Sequence, residues 1–277
     1  MRILLAVDAS PDSKNAVRMV RQFAEPTNVD VLNVVDEDAL KHAYISPEMP
    51  ASYLESYRKE VSETAERTLH EMKQELAGVC QHVRLIADTG DAAESIVETA
   101  EETQADLIIV GQRGMTATPS FLLGGVSQKV ATYAPCSVLV VKEAVEKIER
   151  VVVGVDGSVN SQKAIKFLAR GPFKPPVQVT VVTVWPQQRV EEQEFIQRKG
   201  QELLARMAKE LQQGGYRVNT ELLQGDPAFM ILDAAVRQAA QLIVVSSRGM
   251  KAIKRFFLGS VSEKVLVHAA CSVLIVR

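Results

Sequence analysis

The chain has no excess of basic residues: 32 Lys and Arg stand against 34 Asp and Glu, a formal net charge of −2. Nucleic-acid binding draws on clustered cations that neutralise phosphates, so nucleic acid is excluded as the main partner. Long apolar runs are missing too. None approaches the roughly 20 residues that a membrane helix needs, and no membrane partner is expected. The opening MRILLAVDAS stops being apolar at Asp8 and lacks a signal peptide's basic region and cleavage site, so a cytoplasmic protein is expected. Cysteine is scarce. Cys80, Cys136 and Cys271 are an odd number in 277 residues and give no disulfide framework. Cys136 and Cys271 lie in APCSVLVV and AACSVLIV, where a buried, inert thiol is expected. His42, His70, His82 and His268 are scattered without metal-ligand spacing, and no Ser/His/Asp set recurs. No catalytic or metal-binding residue is assigned on these grounds. Two nucleotide signatures are absent as well. No G-x-x-x-x-G-K-[ST] occurs, and the first strands are followed by DASPDSK and DGSVNSQ rather than G-x-G-x-x-G.

What is present is a duplication. Ala105–Val141 aligned with Ala240–Val276, an offset of 135, gives 21 identities in 37 positions. The offset holds upstream at GDAA (Gly90–Ala93) and GDPA (Gly225–Ala228), while RILLAVDASPDSKNA from Arg2 matches RVVVGVDGSVNSQKA from Arg150 at an offset of 148. The first repeat therefore carries a net 13 extra residues, placed between Asp38 and Ser56, where two prolines indicate a loop extension before a helix. The chain length suits two domains of about 130–140 residues. The boundaries read as 1–144 and 149–277, with Lys142–Glu149 (KEAVEKIE) as a short charged tether.

Each repeat opens on an apolar run without alternation, ILLAV or VVVGV, the pattern of a strand buried on both faces of a parallel sheet. The run ends at Asp8 or Asp156, and a helix follows from about Pro11 or Val159 with Ser10 or Ser158 as its cap. Four more strand patterns and three more helix patterns complete the repeat. The fold class is α/β: two repeated, doubly wound, five-stranded parallel-sheet (Rossmann-like) domains packed as a pseudo-dimer. The final strands CSVLVVK and CSVLIVR are expected to pair at their edges, and a homo-oligomer or a protein partner builds on that arrangement. Ligands of such sheets collect at the carboxyl ends of the strands, where the strand order reverses.

The loop GQRGMTATPSFLLGGVSQKV, Gly111–Val130, returns as SSRGMKAIKRFFLGSVSEKV, Ser246–Val265. Glycines between a strand and a helix let the backbone approach a phosphate, and the next helix aims its N–H groups and its dipole at the anion. In the second repeat Lys251, Lys254 and Arg255 add positive charge and Ser260 adds a hydroxyl. The competing reading is structural. Ser260-Val261-Ser262-Glu263 fits the capping box S-x-x-E, with Gly125 and Gln128 at the matching places of the first repeat. Spacing alone leaves both readings open.

Here the residues resemble the universal stress proteins in a tandem two-domain form, over essentially the whole chain. The family's ATP-binding pattern is Gly, two residues, Gly, nine residues, Gly, then Ser or Thr. The second repeat matches it at Gly249, Gly259 and Ser260 and departs at Ser246; the first matches at Gly111, Gly114 and Gly124 but has Gly125 in place of the hydroxyl. The resemblance implies that Asp156 lies near adenine and ribose and that the Val184 backbone meets adenine. It also implies that Gly249, Gly259, Ser260, Val261 and Ser262, with Ser246 and Arg248 beside them, hold ribose and phosphates. Asp8, Val34, Gly111, Gly114, Gly124, Val126 and Ser127 would do so more weakly, because MTATPSFLL has no cation between its glycines and Pro119 removes a donor. The implied function is a stress-response protein that binds ATP, or ADP or AMP, with Mg as an accompanying ion, mainly in the second domain and as a regulatory ligand. A scaffold of the same fold without nucleotide and a slow ATP hydrolase are the alternatives.

Overall fold

The computed structural model describes residues 1–25, 28–35, 51–115, 122–185, 190–249 and 258–277. Contacts divide the chain into two compact units, Met1–Arg21 with Glu25–Cys136, and Gln22–Ala24 with Ser137–Arg277.

The first unit runs β1 (Arg2–Ala6), α1 (Pro11–Val20), β2 (Asn28–Val35), α2 (Ala51–Glu75), β3 (His82–Thr89), α3 (Ala92–Glu102), β4 (Leu107–Gly111) and α4 (Gly125–Tyr133). Its strand order is β3-β2-β1-β4, all parallel, with Ala6 opposite Leu32 on one side and Val110 on the other. The order reverses between β1 and β4. Both strands are almost wholly buried, with Ile3, Leu4, Leu5, Leu107, Ile108 and Ile109 at 0% exposure. That burial is why their sequences show no polar alternation.

The second unit contains β5 (Ser137–Val141), β6 (Arg150–Gly154), α5 (Val159–Ala169), β7 (Gln178–Trp185), α6 (Val190–Gln213), β8 (Arg217–Gln224), α7 (Pro227–Arg237), β9 (Leu242–Ser246), α8 (Ser260–His268) and β10 (Ser272–Val276). Its order is β5-β10-β9-β6-β7-β8. The strands β8, β7, β6, β9 and β10 are parallel and reverse order between β6 and β9. The two final strands pair as their sequences suggested: β5 lies antiparallel to β10, with Val273 opposite Val140 and Ile275 opposite Val138. The doubly wound α/β fold thus stands, with five strands and four helices to each repeat among the described residues.

Helix starts follow the expected chemistry. Ser10 accepts from the Ser13 N–H and Ser158 from the Ser161 N–H, while Asp91 and Asp226 cap α3 and α7. Three sequence expectations need correction. The supposed loop extension between Asp38 and Ser56 is helical from Ala51 onward, because ASYLES contains no Gly or Pro to prevent it; residues 36–50 lie outside the described part. Lys142–Glu149 is not a free tether. Lys142 and Ile148 are buried, and Gln22 donates to the carbonyls of Val145 and Glu146 while accepting from the Ile148 N–H. Cys136 and Cys271 are half-buried rather than buried, although burial still pushes the Cys271 thiol up to about 11.

Candidate functional site

Both reversal points carry the same two loops. In the second repeat the turn after β6 presents Asp156, and the turn after β9 runs from Ser246 through Arg248 to Gly249. Gly249 is the close approach between them: a Cβ placed on it would stand 2.6 Å from Asp156 Oδ2. Gly114 has the same relation to Asp8 Oδ2, at 2.7 Å. This is tighter than any side chain tolerates, so the glycine lets the second loop lie on the aspartate of the first.

The aspartates fasten their own turns, and Asp8 also reaches the second loop. Asp8 accepts from the Ser10 N–H (3.0 Å) and the Ser13 hydroxyl (2.6 Å) through Oδ1, and from the Met115 N–H (2.9 Å) through Oδ2. Asp156 accepts from the Ser158 N–H at 2.9 Å. Ser161, at the position of Ser13, donates instead to the Ser158 carbonyl at 2.9 Å. The first position of the glycine pattern differs for a steric reason. A Cβ at Gly111 would lie 2.8 Å from the carbonyl carbon of Asp12, whose carboxylate accepts from the Arg113 N–H at 3.1 Å. Asn160 takes the place of Asp12 in the second repeat, where Ser246 fits and donates to the Arg248 carbonyl at 3.0 Å.

The far end of each loop is fastened by contacts that the sequence did not reveal. The Gly259 N–H donates to the Ser247 carbonyl at 2.8 Å, and the buried Ser262 hydroxyl lies 3.3 Å from that same carbonyl and 3.0 Å from the Gly259 carbonyl. In the first repeat the Gly124 N–H donates to the Gln112 carbonyl at 3.0 Å, and Ser127 Oγ stands 2.7 Å from it. Ser262 and Ser127 are therefore loop staples. The one signal for them was that serine recurs, identical, at this helix position in both repeats.

The capping-box reading fails. The N-cap of α8 is Gly259, with no side-chain cap bond, and Ser260 is the first helical residue; in α4 the cap is Gly124 and Gly125 the first residue. Ser260 is exposed at the helix start and has no capping duty, and Val261 stands half-buried beside it. Nothing lies within 4 Å of a Cβ at Gly125, so that position is open too; Val126 next to it is 40% exposed. Lys251, Lys254, Arg255 and Pro119 lie outside the described residues.

Val184 and Val34 lie where their strands outrun β6 and β1. The Val155 N–H donates to the Val182 carbonyl, and the Thr183 hydroxyl takes the Val155 carbonyl at 2.8 Å. In the first repeat Val7 binds the Leu32 carbonyl, and the Asn33 amide takes the Val7 carbonyl. Backbone groups of a parallel strand alternate in direction, so the N–H and C=O of Val184 face the same side as those of Val182. The neighbouring strand has already ended there, and the edge opens toward the crevice beside Asp156. The structure thus gathers Asp156, Val184, Ser246, Arg248, Gly249, Gly259 and Ser260 around one strand-end crevice, and their counterparts around the other. It keeps Ser262 and Ser127 inside the wall. Among the described residues no group of three His, Cys, Asp or Glu side chains is placed to hold a metal ion, and no helix is long and apolar enough to cross a membrane.

Comparison with known proteins yields one family. The profile described as "Universal stress protein family" matches residues 1–142 and again 147–277. A universal stress protein of Mycolicibacterium smegmatis is 28% identical over 99% of this chain and 96% of its own length. The universal stress protein MJ0531 of Methanocaldococcus jannaschii is 38% identical across 30% of this chain and 49% of its own. The crystal structure of a universal stress protein from Archaeoglobus fulgidus superposes with a TM-score of 0.72 at 21% identity, covering 100% of this chain and 96% of that one, and so shares the fold. On the double profile match and the full-length relative, the chain belongs to the universal stress protein family, in its tandem form.

Proposed function

We propose that this chain is a cytoplasmic stress-response protein that binds an adenine nucleotide, ATP or its di- or monophosphate, in its second repeat as a regulatory ligand. The observation that carries the reading is the start of α8. It reaches the β6/β9 reversal with a glycine cap, no side chain on its first N–H groups and an exposed hydroxyl at Ser260. Free N–H groups with the helix dipole behind them favour an anion. In this reading Gly259, Ser260 and Val261 meet the phosphates, and Gly249 and Asp156 face the ribose. The outward edge of Val184 offers one donor and one acceptor to the adenine ring. Ser246 and Arg248 shape the near wall, and Ser262 acts by holding the loop closed. A magnesium ion would enter with the phosphates, since among the described residues no group of three His, Cys, Asp or Glu side chains is placed to hold one. Residues 149–277 form the binding domain, and residues 1–144 form a degenerate copy. There Asp8, Val34, Gly111, Gly114, Gly124, Val126 and Ser127 keep the shape, while Gly125 withholds the hydroxyl.

A second reading, a protein-contact scaffold without nucleotide, is favoured by one observation: Gly249 and Gly114 already have a packing reason to be glycine. Mass spectrometry of small molecules released from the purified, denatured chain separates the two. The first reading expects an adenylate in the wild-type extract and its loss in Asp156→Ala; an empty extract that stays empty after incubation with excess magnesium-adenylate would overturn it.

A further inference from the structure

The first repeat holds a cavity of about 850 Å³ between α3 and the edge strand β3. Arg2, Asn28 and His82, the first residues of β1, β2 and β3, line it, so it opens at the amino ends of the strands, opposite the crevice beside Asp8. Its charges do not balance. Asp30, Asp88, Glu98 and Glu102 line it against Arg2 and Arg84, and both guanidinium groups are already engaged. Arg84 is held by Asp30 at 2.8 and 2.9 Å, and Arg2 donates to the Thr103 carbonyl. Glu98 and Glu102 have no ion pair or side-chain hydrogen bond among the described residues, and Asp88 accepts only from the adjacent Thr89 N–H. Thr99 also lines the cavity and is 8% exposed. Its hydroxyl has no partner among the described residues, yet the oxygen is not sealed by protein as the unsatisfied hydroxyls of Tyr216 and Ser247 are. A buried hydroxyl left in this state costs free energy that a ligand recovers. The duplication supplies an internal control, because the second repeat ties the same walls together. Arg237 of α7, at the place of Glu102, reaches Glu221 of β8, at the place of Ile86, at 2.8 Å; Gln238, at the place of Thr103, donates to Glu221 at 2.8 Å. Thr180 and Asn219 stand there for the Asp30–Arg84 pair, and Leu223 for Asp88. Ile86 and Glu102 cannot form that bridge.

We infer that this cavity is a second ligand site of the chain, separate from the nucleotide crevices, and that it takes a linear polyamine: ammonium groups carried on a flexible methylene chain. Glu98 and Glu102 lie one turn apart on α3, about 6 Å along its axis, the span of a butylene link between two ammonium groups. Asp88 ends the groove where β3 gives way to α3, about 9 Å of helix rise beyond Glu98, and offers a carboxylate to a further ammonium. The Thr99 hydroxyl accepts from the ligand between these points. Half-buried Ile86 gives the methylenes an apolar surface. The carboxyl end of α3 adds the negative pole of the helix dipole beside Glu102. Among the described residues no group of three His, Cys, Asp or Glu side chains is placed to hold a metal ion, so the carboxylates are spread for a long cation rather than gathered for a small one. An anion finds no guanidinium there without a partner.

The test is equilibrium dialysis of the full chain against radiolabelled spermidine, up to about 5 mM ligand and at about 50 mM salt, where exposed charges are little screened. One saturable site per chain is expected. Glu98→Gln combined with Glu102→Gln, both at exposed positions, weakens binding at least about fivefold while the ligand-free melting temperature stays unchanged. Glu94→Gln, on the same helix but outside the cavity, leaves binding as it is. Thr99→Val removes a hydroxyl that has no partner, so it does not lower the stability of the free chain, yet it weakens binding at least about twofold. Ile86→Glu with Glu102→Arg rebuilds the bridge of the second repeat and abolishes uptake. No saturable uptake by the wild type would overturn the inference. So would equal weakening by Glu94→Gln and by the Glu98/Glu102 pair, or full displacement by magnesium chloride at matched ionic strength, the mark of counterions gathered on an acidic surface.

Discussion

A methyl group added to Gly249 would enter the contact shell of Asp156, and one added to Gly114 that of Asp8, at 2.6 and 2.7 Å. The neighbour in each case is a short carboxylate, Asp8 held by the amides of Ser10 and Met115 and Asp156 by that of Ser158, so the strain has little room to relax. Gly249→Ala and Gly114→Ala are each expected to cost about 1–3 kcal/mol, read from urea denaturation midpoints. Gly125→Ser, where a Cβ meets nothing within 4 Å, is expected to leave the midpoint unchanged or raise it slightly. Equal effects at all three positions would mean that the close approach carries no energy. Glycines were visible in the sequence as a pattern, but two physical causes hide under it: close packing at 114 and 249, and an open helix start at 125. Only the distances separate them. The serine staples were less legible still, because Ser262 acts through a carbonyl 15 residues away, a partner that no local pattern names.

The elements were legible to the extent that their burial is periodic. Runs such as LIIV and VLIV could be placed as strands because both faces of a parallel sheet are covered. The start of α2 was missed because a long surface helix needs little apolar periodicity when it carries good helix formers. The α8 cap was misplaced by one residue: Ser-x-x-Glu fits a capping box, but glycine holds the cap and the serine is left over. The end of β5 hid a further feature. Lys142 is buried, and its Nζ donates to the carbonyls of Ala269 (2.6 Å) and Val267 (3.3 Å) at the end of α8. Burial pushes its pKa down to about 8 from 10.5. The unfolded chain holds this proton up to the higher value, so between about 8 and 10.5 the unfolded state binds more protons, and raising the pH across that window favours the folded state. The stability of the wild type measured against Lys142→Met is therefore expected to rise from pH 8 to pH 10.5, by thermal melts in matched buffers. A constant difference would mean that the amine is already solvated.

At the scale of the whole molecule, duplication provides two versions of one design whose differences are informative. The backbone frame is common to both: the same strand order, the same reversal point, the same glycine on the same aspartate, the same serine staple. What diverged is chemistry on that frame, a hydroxyl for a glycine at position 260 against 125 and an ion-paired strip for an open acidic one along α7 against α3. The sequence alone suggests a ranking of the two crevices, because the missing hydroxyl is a single letter. It could not show that Ser260 is free of capping duty, which is a matter of where the helix begins. The central claim is that the second crevice, rather than the fold in general, holds the nucleotide. Isothermal titration of magnesium-ATP into the wild type, Gly259→Val and the matching Gly124→Val tests it most directly, since the two variants disturb equivalent loops in one chain. The account predicts one dominant site per chain, abolished by Gly259→Val and retained by Gly124→Val; two equal sites in the wild type, or binding untouched by Gly259→Val, would contradict it.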